Sequence, residues 1–335
     1  MEPVFSFTDA QRDELFHLLS AVAKNPYEDY SAFSAAVGDV LARGEVPAYF
    51  LQACATVRAQ RESGESDAHV LRNCPVDAEI PLFEQDDPVA DKYRKKTTFV
   101  GETFLELFGQ VVGTPLLAYE TRNNGDFFHD VYAVNRYTGT QTQKTDSELY
   151  FHNDRTAHPV RADFLALLGM RCPVEDQIYT GFADGRDVLA NLTDEHQQTL
   201  RQPLFITPFD RYSRDSNSTQ TVSEPHAILE NDHSLRYYDT RTRVAPDAPI
   251  AAYEALLALK NAIVKSKKRR HKILDRDLFV LANQDGLHSR DMVEILDPER
   301  ARQRWLLKTY AFRDQSAADR HNSDWLDGVV GRVAD

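Results

Sequence analysis

From Pro115 to Phe312 the chain breaks repeatedly into short β-rich runs, too short to stand alone, and this pattern constrains its fold more than any other feature. The longer ones are Pro115 to Thr121, Phe127 to Val134, Leu149 to His152, Phe164 to Arg171, Gln177 to Phe182, Phe279 to Asn283 and Arg304 to Phe312. Shorter runs lie at Leu204 to Thr207, Ala227 to Glu230, Leu235 to Asp239 and Lys272 to Leu274. Such a series predicts a double-sheet roll or barrel, which leaves few open strand edges. Asn123-Asn-Gly-Asp126, between the first two runs, reads as a hairpin turn.

Helical patterns surround and interrupt the roll. Thr8 precedes an acidic first turn and an apolar stripe, and Tyr30 to Leu41, Val46 to Gln60 and Thr97 to Val112 continue at helical spacing. Two further helical patterns, Asp184 to Arg201 and Pro246 to Ile263, read as decoration on the roll. The expected organisation is a single domain over 1–335. It has a helical flank at 1–95, a core at 96–315 with an insertion at about 184–263, and a peripheral tail at 316–335.

With 42% hydrophobic and 10% aromatic residues the chain can bury a substantial core. Its net charge of −13 argues against nucleic acid and anionic membranes as partners, since both recruit excess Lys and Arg. No apolar run is long enough to span a bilayer, and Met1-Glu-Pro-Val-Phe lacks the basic and apolar regions of a signal peptide, so a cytoplasmic location is expected. Cys54, Cys74 and Cys172 are too few and too scattered for a disulfide framework or a zinc cluster. The basic run Lys265 to Lys272 reads as a solvated turn before a strand. No feature fixes the oligomeric state.

Within this frame, His152 and Asp154 stand two apart on a strand and therefore face the same side. A second histidine from another strand, with His288 the candidate, would complete a facial set of two imidazoles and one carboxylate. That set leaves metal positions open for a bidentate cosubstrate and dioxygen. Alternation also puts Arg304, Leu306 and Lys308 on one face of their strand.

The run His152-Asn-Asp-Arg-Thr-Ala-His-Pro-Val-Arg-Ala-Asp163, with His288-Ser-Arg290 and Arg304-Trp-Leu-Leu-Lys308, resembles the clavaminate synthase-like branch of the Fe(II)/2-oxoglutarate-dependent oxygenases over roughly residues 100 to 312. The resemblance implies a mainly β fold with helical additions (α+β), a double-stranded β-helix or jelly-roll core. It implies that His152, Asp154 and His288 ligate Fe(II), and that Arg304, assisted by Thr180, grips the far carboxylate of 2-oxoglutarate, with dioxygen as second cosubstrate. A guanidinium suits that grip because its planar fork fixes a carboxylate in position and rotation. The chain departs from many relatives in having Asp154 in place of Glu, and Lys308 in place of a second Arg. The His288 to Arg304 spacing is also about two residues longer, which a loop at Asp297 to Ala301 would have to absorb.

Relatives in that branch hydroxylate small amino acids, so the resemblance implies a free amino acid, and several acidic candidate residues favour a basic one, lysine first and arginine second. Lys308 or Arg122 would meet the α-carboxylate, and Glu148, Asp130 or Asp239 an amine. Two alternatives are the same chemistry on a tethered amino acid, peptide or natural-product intermediate, and a non-catalytic jelly roll that binds a metal or ligand. His158 and His129 are expected to support structure.

Overall fold

The computed structural model describes residues 1–216 and 221–334. Two sheets face each other. The larger runs in the order Phe5–Ser6, Ala68–Arg72, Leu278–Ala282, Phe164–Arg171, Trp305–Ala311, Leu116–Tyr119 and Arg332–Val333, and His129–Val131 also pairs with Trp305–Ala311. The smaller runs Arg269–His271, Gln177–Asp184, Gly286–Glu294 and Leu149–His152. This is the expected jelly-roll core with helices added.

The larger sheet is buried on both faces, which explains why its central strand, Phe164–Arg171, is almost wholly apolar. Ala166, Leu168 and Met170 face the N-terminal helices, with Trp305 and Leu307 from the next strand. Leu165 and Leu167, with Leu306 and Tyr310, face inward with Phe182 of the smaller sheet. Where this sheet bulges between Trp305 and Leu306, Gly169 permits a close crossing. A Cβ at Gly169 would lie 2.1 Å from the Leu274 carbonyl oxygen.

The outer layer is built by helices Asp9–Ser20, Tyr30–Ala42 and Ala48–Glu62, the first opened by a capping box between Thr8 and Gln11. Beneath them lies Val100–Val112, buried on nearly every side and closed by Gly113 at φ 80°. The flank is not purely helical, because Phe5–Ser6 and Ala68–Arg72 extend the larger sheet.

Other local expectations were overridden by tertiary pairing. Residues 123–126 form a turn, with Asn123, Asn124 and Gly125 all at positive φ. The strands it joins do not pair with each other, since both lie against Trp305–Ala311. The first inserted helix splits into Gly185–Leu189 and Asp194–Leu200 because the Thr193 hydroxyl accepts from His196 N–H and starts a new helix. These helices pack on Ile250–Lys265 around Val188, Leu200 and Leu259. Instead of a loop, Asp297 caps the short helix Pro298–Arg302 just before Arg304. Of the basic run, Arg269–His271 forms an edge strand, with Arg270 3.2 Å from Asp291.

The tail is integrated rather than peripheral. Arg332–Val333 pairs in parallel with Leu116–Tyr119, and the Ala334 carbonyl accepts from His158 Nε2 at 3.0 Å. Among the described residues no helix is long and apolar enough to cross a membrane.

Candidate active site

His152 ends the strand Leu149–His152, and His288 lies directly opposite it on the adjacent strand Gly286–Glu294. Their rings stand 4.3 Å apart between centroids. Asp154 follows His152 around the strand end, with Oδ1 3.4 Å from His152 Nε2 and 3.7 Å from His288 Nε2. One ligand atom from each residue falls within a 4.8 Å set.

The surroundings aim these donors. His152 Nδ1 donates to the Tyr150 carbonyl at 2.7 Å, leaving Nε2 for the centre. The Tyr238 ring stacks on His152 at 4.7 Å. Burial, then the neighbouring His152, pushes the His288 pKa down to about 4, so its imidazole is neutral and able to ligate at pH 7. Burial alone would raise the Asp154 pKa, but Lys308 and the two histidines outweigh it and hold the carboxyl well below its usual range. Lys308 Nζ and Tyr310 OH lie 2.8 and 3.2 Å from Asp154 Oδ2, which leaves Oδ1 turned to the imidazoles.

Asn153 points away from this centre, as alternation requires, and ties the site to its neighbours. Its Nδ2 donates to the carbonyls of Gly286, at 2.8 Å, and Asn283, while its Oδ1 accepts from Tyr237 N–H at 2.7 Å. Asn153→Ala is expected to cost about 1–3 kcal/mol in urea denaturation, because it strands buried backbone groups. A loss below about 0.5 kcal/mol would show that these bonds do not hold the strand end.

One cavity contains the triad together with Thr180, Arg304 and Lys308, walled by Leu165, Leu167 and Leu306. Arg304, Leu306 and Lys308 thus share a face, as alternation predicts. Arg304 is 8% exposed and has no carboxylate partner among the described residues, with the Cys172 thiol as a side-chain partner. A buried guanidinium without a carboxylate partner, beside the Thr180 hydroxyl in such a cavity, asks for an anion.

A second cavity opens on the other side of His152 and Asp154, and Arg122 lines it. None of the acidic residues expected to bind an amine lines either cavity. The Asp130 carboxylate is buried, 2.9 Å from Lys92 Nζ, and accepts from Trp305 Nε1 at 3.0 Å and Asn123 Nδ2 at 2.8 Å. Glu148 points to solvent. Asp239 is engaged by Lys260 at 2.9 Å and by the Tyr237 hydroxyl at 2.5 Å. Instead, Asp210, Tyr238, Arg241 and Gln143 line this cavity. They come from irregular connections where no periodicity marks a side chain as inward-facing. His158 and His129 pack at 4.9 Å against Tyr119 and Tyr310 respectively.

Residues 100–310, which carry every residue of the triad and Arg304, match the taurine catabolism dioxygenase TauD, TfdA family. The chain belongs to that family. With its two histidines and one carboxylate, it is an Fe(II)- and 2-oxoglutarate-dependent oxygenase of the TauD, TfdA type. It is 27% identical over 257 residues to an L-asparagine oxygenase from Streptomyces coelicolor, spanning 76% of this chain and 74% of that one. It is 25% identical over 311 residues to clavaminate synthase 2 from Streptomyces clavuligerus, spanning 91% of each. A crystal structure of asparagine oxygenase with Fe(II), 3-hydroxyasparagine and succinate has the same fold, with a TM-score of 0.81 at 22% identity over 99% of both chains.

Proposed function

We propose that this oxygenase hydroxylates an unactivated C–H bond of a free L-amino acid. In this reading His152, Asp154 and His288 hold Fe(II), and Arg304 with Thr180 holds the far carboxylate of 2-oxoglutarate. The observation that carries it is the buried Arg304, without a carboxylate partner among the described residues, in the same cavity as the converging triad. An amino-acid substrate is supported by the similarity to an L-asparagine oxygenase.

Iron held by His152, Asp154 and His288 would supply the oxidative chemistry, in which 2-oxoglutarate and dioxygen give succinate and carbon dioxide, one oxygen atom going to succinate and the other to the substrate C–H. The chain's own task is placement and exclusion. Arg304 fixes the cosubstrate's far end through a charge-assisted fork, and the Thr180 hydroxyl offers one further donor. Leu165, Leu167 and Leu306 keep water from the cosubstrate, which strengthens that ion pair. Lys308 and Tyr310 keep one Asp154 oxygen occupied so that the other faces the histidines.

The preference for lysine, then arginine, rested on Asp130, Glu148 and Asp239 as amine partners. Since all three are engaged or exposed elsewhere, substrate charge has to be judged from the groups that do line the second cavity.

Arg304→Gln is expected to weaken 2-oxoglutarate binding to the Fe(II)-loaded protein by at least about 100-fold, measured anaerobically by calorimetry, with Fe(II) affinity little changed. Unchanged 2-oxoglutarate affinity would remove Arg304 from this role.

A further inference from the structure

We propose that the substrate is an acidic amino acid, with two carboxylates and one ammonium, such as aspartate or glutamate. This rests on the oxygenase reading above and concerns the cavity on the far side of His152 and Asp154.

The groups lining that cavity are unbalanced in charge. Arg122 is buried, with Nη2 3.2 Å from Asp210 Oδ2 and bonded to the Ser213 hydroxyl. Arg241 donates to the backbone carbonyls of Phe209 at 3.3 Å and Gln141 at 3.0 Å and lies 5.1 Å from the centre of the Tyr238 ring, and it has no carboxylate within ion-pair distance among the described residues. Lys308 is already paired with Asp154, and the lining Arg155 has its guanidinium 4.3 Å from the centre of the Tyr119 ring, so the groups that oppose one another are the guanidiniums of Arg122 and Arg241 against the single carboxylate of Asp210. The complement of that set carries two negative groups and one positive group. A lysine or arginine side chain would add a cation to an existing excess of cations.

Hydrogen-bond capacity points the same way. Arg122 Nε, Arg241 Nε and Gln143 Nε2 are buried without an acceptor among the described residues. All three belong to residues lining this cavity. Asp210 Oδ2 is already used by Arg122 and the Ser213 hydroxyl, while Oδ1 accepts only the Ser213 N–H among the described residues and keeps room for one further donor. A cavity with spare donors and few spare acceptors fits a ligand rich in carboxylate oxygens. Arg241 and Arg122 would take the two carboxylates, and Asp210 the ammonium.

The test is anaerobic calorimetry on the protein loaded with Fe(II) and 2-oxoglutarate, titrated with L-aspartate, L-glutamate, L-asparagine, L-glutamine and L-lysine. One of the two acids is expected to bind at least about tenfold tighter than its own amide and than lysine. Arg241→Gln should bring the acid-to-amide ratio near unity and Arg241→Lys should keep most of it, with 2-oxoglutarate binding showing that each variant is folded. Equal binding of acid and amide, tighter binding of lysine, or an acid preference that survives Arg241→Gln would overturn the proposal while leaving the oxygenase reading in place. Failure of the Fe(II)-loaded wild type to bind 2-oxoglutarate would overturn both.

Discussion

Asp154→Asn is expected to lower Fe(II) affinity by more than about 100-fold, because loss of a group that merely orients a ligand already costs about 10–100-fold and this change removes the only carboxylate of the triad. The neutral amide has the same shape, so the loss reports donor chemistry and charge rather than packing. It also leaves the Lys308 ammonium, 2% exposed, without its carboxylate. The lysine then tends to shed its proton, since burial already lowers its pKa. Asp154→Glu, which restores the carboxylate one methylene further out, is expected to retain Fe(II) binding within about tenfold. Equilibrium dialysis of the three proteins against Fe(II) under argon decides the matter. Stoichiometric, tight Fe(II) uptake by Asp154→Asn would show that the metal sits elsewhere.

Lys92→Met should be the most damaging single change to stability away from the site, at about 3–5 kcal/mol in urea denaturation near pH 7. Lys92 is fully buried, with its ammonium 2.9 Å from Asp130, 3.4 Å from Asp126 and 3.9 Å from the centre of the Tyr27 ring. Removing it strands two carboxylates in the interior. Burial already raises the Asp126 pKa to about 6 despite Lys92. A carboxyl raised in the folded state contributes stability that is fully present below the unfolded value near 4 and is lost as pH rises through about 6. The deficit of Lys92→Met should therefore shrink as pH falls from 7 to 5, because the stranded carboxyls take up protons. Lys92→Met combined with Asp130→Asn should recover part of the loss. A deficit under about 1 kcal/mol, or one that grows on acidification, would contradict this account.

These two sites show what a linear reading can and cannot reach. His152 and Asp154 were legible because alternation on a strand fixes their relative direction, and Leu149–His152 and Phe164–Arg171 emerge with the boundaries their composition suggests. Arg304, Leu306 and Lys308 followed from the same period. Asp130 was misread because a buried carboxylate can equally serve a lysine of the same fold, and nothing local distinguishes Lys92 from a ligand's amine. Asp210 and Arg241 escaped notice because they belong to connections between two-residue strands, where direction is set by distant contacts. The turn at Asn123 was read correctly as a turn but wrongly as a hairpin, since the long strand Trp305–Ala311 offers both flanking segments a better partner than they offer each other.

The strand order of the larger sheet bears on how such a chain is made. Ala68–Arg72 joins the rest of the sheet only through Leu278–Ala282, its other neighbour being the two-residue strand Phe5–Ser6, and Phe164–Arg171 lies between two strands that both come more than a hundred residues later. On a ribosome, His152 and Asp154 emerge long before His288, and the wall that carries Arg304 emerges later still. Early segments must wait with apolar edges uncovered, a situation that slows folding and favours association with other chains. Iron capture is consequently a late event in the life of this polypeptide, and the cell's handling of the unfinished chain bears on the yield of active enzyme as much as its final stability does.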